Sequence, residues 1–132
     1  GNQFLAHIRE VDAIAHVALT CHIDGLICTN TTIDRDAIAD SQHKDEPGGL
    51  SGSTLFAQET KVLHEMAQRL EAKIPLIGVG GILSGDDAAE KIQAGASLVQ
   101  FYTGMIYRGP ALIAESVAAI GQLKATGGTH AH

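Results

Sequence analysis

Two stretches decide the fold: Ile74-Pro-Leu-Ile-Gly-Val-Gly-Gly-Ile82 and, one unit later, Ala96-Ser-Leu-Val-Gln-Phe-Tyr-Thr-Gly104. Each reads as a short buried strand running straight into a glycine-containing turn. A polar cap and a helical pattern follow. Such turns expose backbone N–H groups beside a helix N-terminus, which suits a phosphate dianion. Two of them on neighbouring strands can clamp one phosphate, as the loops after strands 7 and 8 of a (β/α)8 barrel do.

Working outward, Ser84 is a good N-cap, and Asp86 and Asp87 favour the positive end of a helix that runs to about Ala94 and stops at Gly95. A strand over Leu98–Tyr102, a short helical turn at 103–107 and a last helix over Ala111–Leu123, opened by Pro110, complete that side. On the other side, apolar residues at helical spacing predict a helix over 4–22, ended by Gly25. Leu26–Thr29 then reads as a strand, 33–52 as a long loop, and 54–72 as a helix with Leu55, Val62, Leu63, Met66 and Leu70 on one side. The order is α-β-loop-α-β-α-β-α. Strands without polar alternation imply burial on both faces and parallel pairing.

The fold expected is therefore α/β, the C-terminal part of a (β/α)8 TIM barrel, about its last three βα units. The chain has 132 residues, against about 250 for a whole barrel. Three strands alone would leave two apolar edges bare. Residues 1–132 are thus expected to be one incomplete domain, with 1–22 a helix preceding strand 6 and 124–132 a disordered tail.

A net charge of −6 with no basic stripe argues against nucleic acid. No apolar run approaches the ~20 residues of a membrane span. Cys21 and Cys28 fit no zinc or redox spacing and are expected to be reduced, buried thiols. The seven histidines show no ligand spacing either, and His130 and His132 fall in the tail, so no metal is expected.

Chemistry in a barrel sits at the C-terminal ends of its strands. Three clusters fall there. Thr29-Asn-Thr31 offers hydroxyls and a carboxamide that can read the edge of a small planar ring, or simply an Asx or ST turn. Gly48-Gly-Leu-Ser-Gly52 offers bare backbone that can approach a flat ligand, or a loop hinge. Gly80-Gly81 with Tyr102-Thr-Gly104 is the phosphate pattern, with ordinary helix-leading turns as the plainer reading. No carboxylate pair, Ser/His/Asp set or Cys/His set joins them, and Asp34 and Arg35 read as loop charges. The segment supplies binding groups and no general base.

The carriers Asp24-Gly-Leu-Ile-Cys-Thr-Asn-Thr-Thr32, Gly48-Gly-Leu-Ser-Gly52, Pro75-Leu-Ile-Gly-Val-Gly-Gly-Ile82 and Ala94–Gly104, continued by Ile106-Tyr-Arg-Gly-Pro-Ala-Leu112, cover roughly residues 22–120. In this order they resemble the C-terminal part of dihydroorotate dehydrogenases of class 2, the quinone-linked enzymes. The resemblance implies a (β/α)8 barrel holding FMN. It also implies oxidation of dihydroorotate to orotate in pyrimidine (UMP) biosynthesis, with a quinone as acceptor. By motif, Thr29 would touch FMN, and Asn30 and Thr31 would hydrogen-bond orotate. Gly52 and Gly81 would approach the flavin and its phosphate, and Tyr102 and Thr103 would complete the phosphate site through their N–H groups.

The resemblance places no catalytic residue here: the family's base serine and strand-5 lysine are expected upstream of Gly1. So is the N-terminal segment that would bring the enzyme to the inner membrane, on the bacterial cytoplasmic face or in mitochondria. The 132-residue chain alone is expected to be inactive. The family usually has proline where Thr54 stands, which is expected to loosen the approach to the helix rather than alter the chemistry. Two rivals remain open: another FMN barrel oxidoreductase, such as a dihydrouridine synthase or a glutamate synthase-like domain, and a non-catalytic phosphate-binding half-barrel that self-assembles.

Overall fold

The computed structural model describes residues 2–127. Its elements are α1 (Asn2–Thr20), β1 (Leu26–Cys28), α2 (Phe56–Leu70), β2 (Leu76–Gly78), α3 (Gly85–Gln93), β3 (Leu98–Val99), α4 (Thr103–Arg108) and α5 (Ala111–Gly127). Short 3-10 turns at Asp36–Ile38 and Ser53–Leu55 break the loop and lead into α2. The expected order holds, with α4 as the extra turn.

The three strands form one parallel sheet in the order β1-β2-β3. Leu26, Ile27 and Cys28 lie opposite Leu76, Ile77 and Gly78, and Ile77 and Gly78 lie opposite Leu98 and Val99. Side chains alternate across a strand. Cys28 and Leu76 are buried among Val11, Ala15 and Ala18 of α1 and Leu63, Met66 and Leu70 of α2. Gly78 has no side chain, which lets Leu63 and Lys91 close on the strand: a Cβ there would lie 3.1 Å from each. On the opposite face Ile27 is 51 % exposed, and on the far edge Leu98 is 63 % exposed. The sheet is therefore covered on one side only, and burial on both faces is not met within these residues. An α/β unit with two open apolar edges is what part of a barrel looks like, because a closed barrel would supply the missing neighbours.

Several boundaries shift for local reasons. Helix α1 stops at Thr20, not near Gly25, because His22 (φ 53°) already takes the left-handed conformation that ends a helix. Strand β3 stops at Val99, not Tyr102. Gln100 N still donates to Gly78 O (2.9 Å), but β2 then turns away at Gly80 and the ladder has no partner left. Helix α5 continues to Gly127, so residues 124–127 are helical rather than tail, and 128–132 lie outside the described residues. Of the two thiols, Cys28 is buried as expected but Cys21 is exposed, since it falls in the turn after α1.

The cap on α3 matches the sequence pattern. Ser84 Oγ accepts from Asp87 N (3.1 Å), and Asp87 Oδ2 accepts from Leu83 N (2.9 Å). The approach to α2 is ordered despite Thr54: Leu55 N donates to Gly52 O (3.1 Å) and Leu55 is buried. The turns that follow the three strands all leave the sheet at one edge, because parallel strands in register end on the same side.

Candidate functional site

That edge holds a cavity of about 880 Å³. Thr29, Asn30, Thr31, Gly52, Gly81, Tyr102 and Thr103 all line it, so the structure brings together every residue singled out from the sequence. Gly80, half of the phosphate pattern, lines it too, as do Ser51, Gln100 and Phe101, which lie inside the quoted stretches but carry no role in the sequence reading. Gln100 and Phe101 sit where β3 outruns its neighbour, a fact only the register reveals.

At the end of β1, Thr31 N donates to Asn30 Oδ1 (2.8 Å). One acceptor site of the carboxamide oxygen is thus taken by the chain, and the NH2 stays available to a ligand. Thr32 and Leu50 form an antiparallel bridge, with Leu50 N to Thr32 O at 2.7 Å and Thr32 N to Leu50 O at 3.2 Å. Gly49 then lies directly on Thr31, so closely that a Cβ there would collide with the Thr31 side chain. Ser51 Oγ accepts from Thr103 Oγ1 (3.2 Å). The limb from Gly48 to Gly52 therefore straps the turn after β1 to the turn after β3. Gly52 (φ 100°) is held in backbone that only glycine adopts readily.

The turn after β2 is built differently. Gly80 (φ 91°) and Gly81 (φ 73°) are both left-handed, and both are pressed onto α2. A Cβ on Gly80 would lie 2.8 Å from Glu59 Cγ, and one on Gly81 2.6 Å from the Phe56 backbone. Among the described residues nothing accepts a hydrogen bond from either N–H. Two free donors in a tight glycine turn at a cavity wall make a cradle for an anion. Gly104 is also close-packed: a Cβ there would strike Ile82 O and approach Leu112 Cδ2 to 2.8 Å. This locks the turns after β2 and β3 side by side.

Beneath the glycine pair lies a feature the sequence did not reveal. Glu59 (5 % exposed) and Lys91 (0 % exposed) are buried with opposite charge behind the turn. Lys91 Nζ lies 4.9 Å above the Phe56 ring, a cation–π contact. Burial pushes the Lys91 ammonium down to about 8, against the pull of Glu59, Glu90 and Asp87. Burial pushes the Glu59 carboxyl up, and Lys91 opposes it. Burial, then Glu59, holds the Cys28 thiol up at about 11, so Cys28 is an inert core residue rather than a nucleophile. Glu59 Oε2 and Lys91 Nζ have no hydrogen-bond partner. The two opposite charges offset each other behind a turn that carries two unpaired N–H donors; a lone buried carboxylate there would disfavour any anion at those donors. Periodicity placed Glu59 on α2 and Lys91 on α3, but nothing in the pattern marked either as buried.

No group of metal-binding side chains occurs among the described residues, and no helix among them is long and apolar enough to cross a membrane.

The dihydroorotate dehydrogenase family profile matches residues 5–123. The dihydroorotate dehydrogenase (quinone) of Herminiimonas arsenicoxydans is 53% identical over 112 residues, which is 85% of this chain and 32% of the relative. That of Burkholderia thailandensis is 54% identical over the same length and shares. Among solved structures, DHODH from Eimeria tenella in complex with ferulenol superposes with a TM-score of 0.82 at 42% identity, covering 92% of this chain and 32% of that one. The chain thus spans about a third of the length of the relatives it matches, 32% of each of these.

Proposed function

The chain belongs to the dihydroorotate dehydrogenase family, and on that premise we propose that it forms the phosphate-gripping and part of the substrate-facing side of a quinone-linked enzyme that oxidises dihydroorotate to orotate in pyrimidine biosynthesis. The observation that carries this reading is the convergence of three separate turns, after β1, β2 and β3, on one cavity. The names of the relatives support the reaction and the quinone acceptor. They favour it over another flavin barrel and over a self-assembling half-barrel.

The cofactor proposed is FMN. The fit rests on the Gly80–Gly81 turn, whose unpaired N–H groups and Cβ-excluding packing suit a phosphate end. Gly81, with the Tyr102 and Thr103 N–H groups, would hold that phosphate. Thr29 and Gly52 would lie along the ring system. When bound, the flavin supplies the two-electron acceptor. Asn30 and Thr31 would hydrogen-bond the substrate's amide and carbonyl edge and hold its ring in one orientation, which is where positioning lowers a barrier. The strap from Gly48 to Gly52 keeps that face fixed relative to the phosphate turn. None of these side chains is a base, so proton removal would fall to a group outside these residues. Delivery of electrons to a quinone would place the enzyme at the inner membrane, through parts of the protein other than those described.

In the full-length protein, Asn30→Ala should weaken orotate binding by about tenfold or more, the size expected when a buried hydrogen bond is removed, and leave flavin content unchanged. Spectral titration of the bound flavin with orotate reads both. Unchanged orotate affinity would sink the assignment of the β1 turn to the substrate.

A further inference from the structure

The loop between Thr32 and Leu50 leaves and returns at the ring-facing turn, and one side chain spans its neck. Arg35 Nη2 donates to Glu46 O (3.2 Å) and to Gly48 O, on either side of Pro47. The start of the excursion is fixed as well: Asp34 N donates to Thr32 Oγ1 (3.1 Å) and Asp36 N to Asp34 Oδ1 (2.9 Å). Arg35 is half-buried, not a solvated loop charge. Its carbonyl partners adjoin the most permissive backbone in the region. Gly48 (φ 114°) has nothing within 4 Å of where its Cβ would be, and Gly49 rests on Thr31. A glycine pair has no side chain to hold it in place. Glu46 is held locally by His43, with Glu46 N donating to His43 O (3.2 Å) and His43 Nδ1 hydrogen-bonded to Glu46 Oε1 (2.6 Å); besides the Thr32–Leu50 bridge, the link across the neck is Arg35, whose Nη2 alone reaches both carbonyls.

We propose that Arg35 is a positioning residue: by fixing residues 46–48 it holds Gly49 against Thr31, and so sets the ring-facing side of the site without touching the ligand. This rests on the reading of Asn30 and Thr31 as substrate contacts. It makes a specific demand: loosening the clamp must cost substrate binding while sparing the turn after β2, which is packed on α2 and to which Arg35 makes no hydrogen bond among the described residues.

The test uses the full-length flavin-loaded protein and four variants, with Asn30→Ala as the reference for substrate contact. Arg35→Ala should raise the orotate Kd and the dihydroorotate KM by about tenfold, with kcat falling far less, since the missing restraint acts on bound and reacting substrate alike. Flavin content should stay at the wild-type level. Arg35→Lys, which keeps the charge but has a shorter reach to the two carbonyls, should fall between the two, and added guanidinium ion should partly restore Arg35→Ala. Gly49→Ala leaves the clamp in place but puts a methyl onto Thr31, and should raise the same two constants with flavin retained. An unchanged orotate Kd in Arg35→Ala, beside a weakened one in Asn30→Ala, overturns the clamp alone. Flavin lost together with orotate in Arg35→Ala overturns it too, by making Arg35 a general support of the fold. Should Arg35→Ala fail to fold, wild-type constants in Gly49→Ala overturn the proposal instead. If Asn30→Ala itself leaves orotate affinity unchanged, the substrate reading falls first and the clamp falls with it.

Discussion

The turn after β2 and the turn after β1 face the same cavity and are held by opposite means. The first is made of backbone. Gly80 and Gly81 are pressed onto Phe56 and Glu59, with Lys91 buried below, and a methyl group on either would strike α2. The second is made of side chains. Thr31 and Asn30 are exposed, their neighbour Gly49 comes from a loop, and the loop's neck is spanned by a half-buried arginine. A phosphate asks for fixed N–H donors, which dense packing supplies. A planar ring asks for side-chain groups at chosen positions, which a strap can adjust. Precision at the first turn is tied to the core, and precision at the second to a few hydrogen bonds.

If that contrast is right, the largest effect should come from the packed turn. Gly81→Ala forces a Cβ to 2.6 Å from the Phe56 backbone at a φ of 73°. Flavin affinity should fall by at least about a hundredfold, or the protein should unfold, since both overpacking and left-handed strain act at once. Flavin fluorescence titration and a denaturant melt measure the two. A well-folded Gly81→Ala that retains flavin would erase the distinction between the turns.

Next in size is Lys91→Met, which strands Glu59 in the core. Removing the cation leaves the buried Glu59 carboxyl without an opposing charge, which should cost about 1–3 kcal/mol, the range for an uncompensated buried polar group. Chemical denaturation of the full-length protein should show that loss, and Glu59→Gln combined with Lys91→Met should recover most of it. If the double variant is no better than Lys91→Met alone, the two charges are not coupled behind the turn.

A pH series sharpens the same point with a smaller effect. The folded Lys91 loses its proton near 8 while the unfolded chain holds it to about 10.5. Between those values the unfolded state binds more protons, so this group makes stability rise with pH, by up to about 1.4 kcal/mol per unit. Cys28 works the other way between 9 and about 11, because its folded thiol keeps its proton longer. The clean measure is therefore the difference in denaturation free energy between wild type and Lys91→Met from pH 7.5 to 9. It should shift in favour of wild type as pH rises; a flat difference would show that Lys91 is not desolvated.

The smallest effect belongs to the strap. Thr103→Val removes the hydrogen bond to Ser51 and should cost about 1 kcal/mol, or roughly fivefold in substrate affinity, with flavin binding little changed. Isothermal titration with orotate resolves a change of that size. An equal loss of flavin affinity would mean that the two turns are not separable.

How much of this is legible in the sequence differs along the chain. The β-to-turn junctions are legible because strand, glycine and cap follow one another within a few residues, and each leaves its own local mark: Gly80-Gly81, then Ser84 with Asp87. The Thr29–Thr31 cluster and Gly48–Gly52 are legible as motifs, and all seven chosen residues meet at the cavity. The ends of α1 and β3 are misplaced by pattern alone because left-handed His22 and the early departure of β2 are set by neighbours, not by the residues themselves. Arg35 reads as a loop charge because its acceptors, 11 and 13 residues away, are backbone carbonyls that no sequence pattern displays.

By itself, then, the sequence determined the order of elements, the parallel pairing and the identity of the turns that line the cavity, since short-range periodicity and turn chemistry decide those. Only the tertiary structure decided that Glu59 and Lys91 share the core behind one turn, that Gly49 rests on Thr31, and that an arginine holds the loop between. Burial and long-range hydrogen bonds depend on which distant surfaces meet, and a linear pattern of residues carries no record of that meeting.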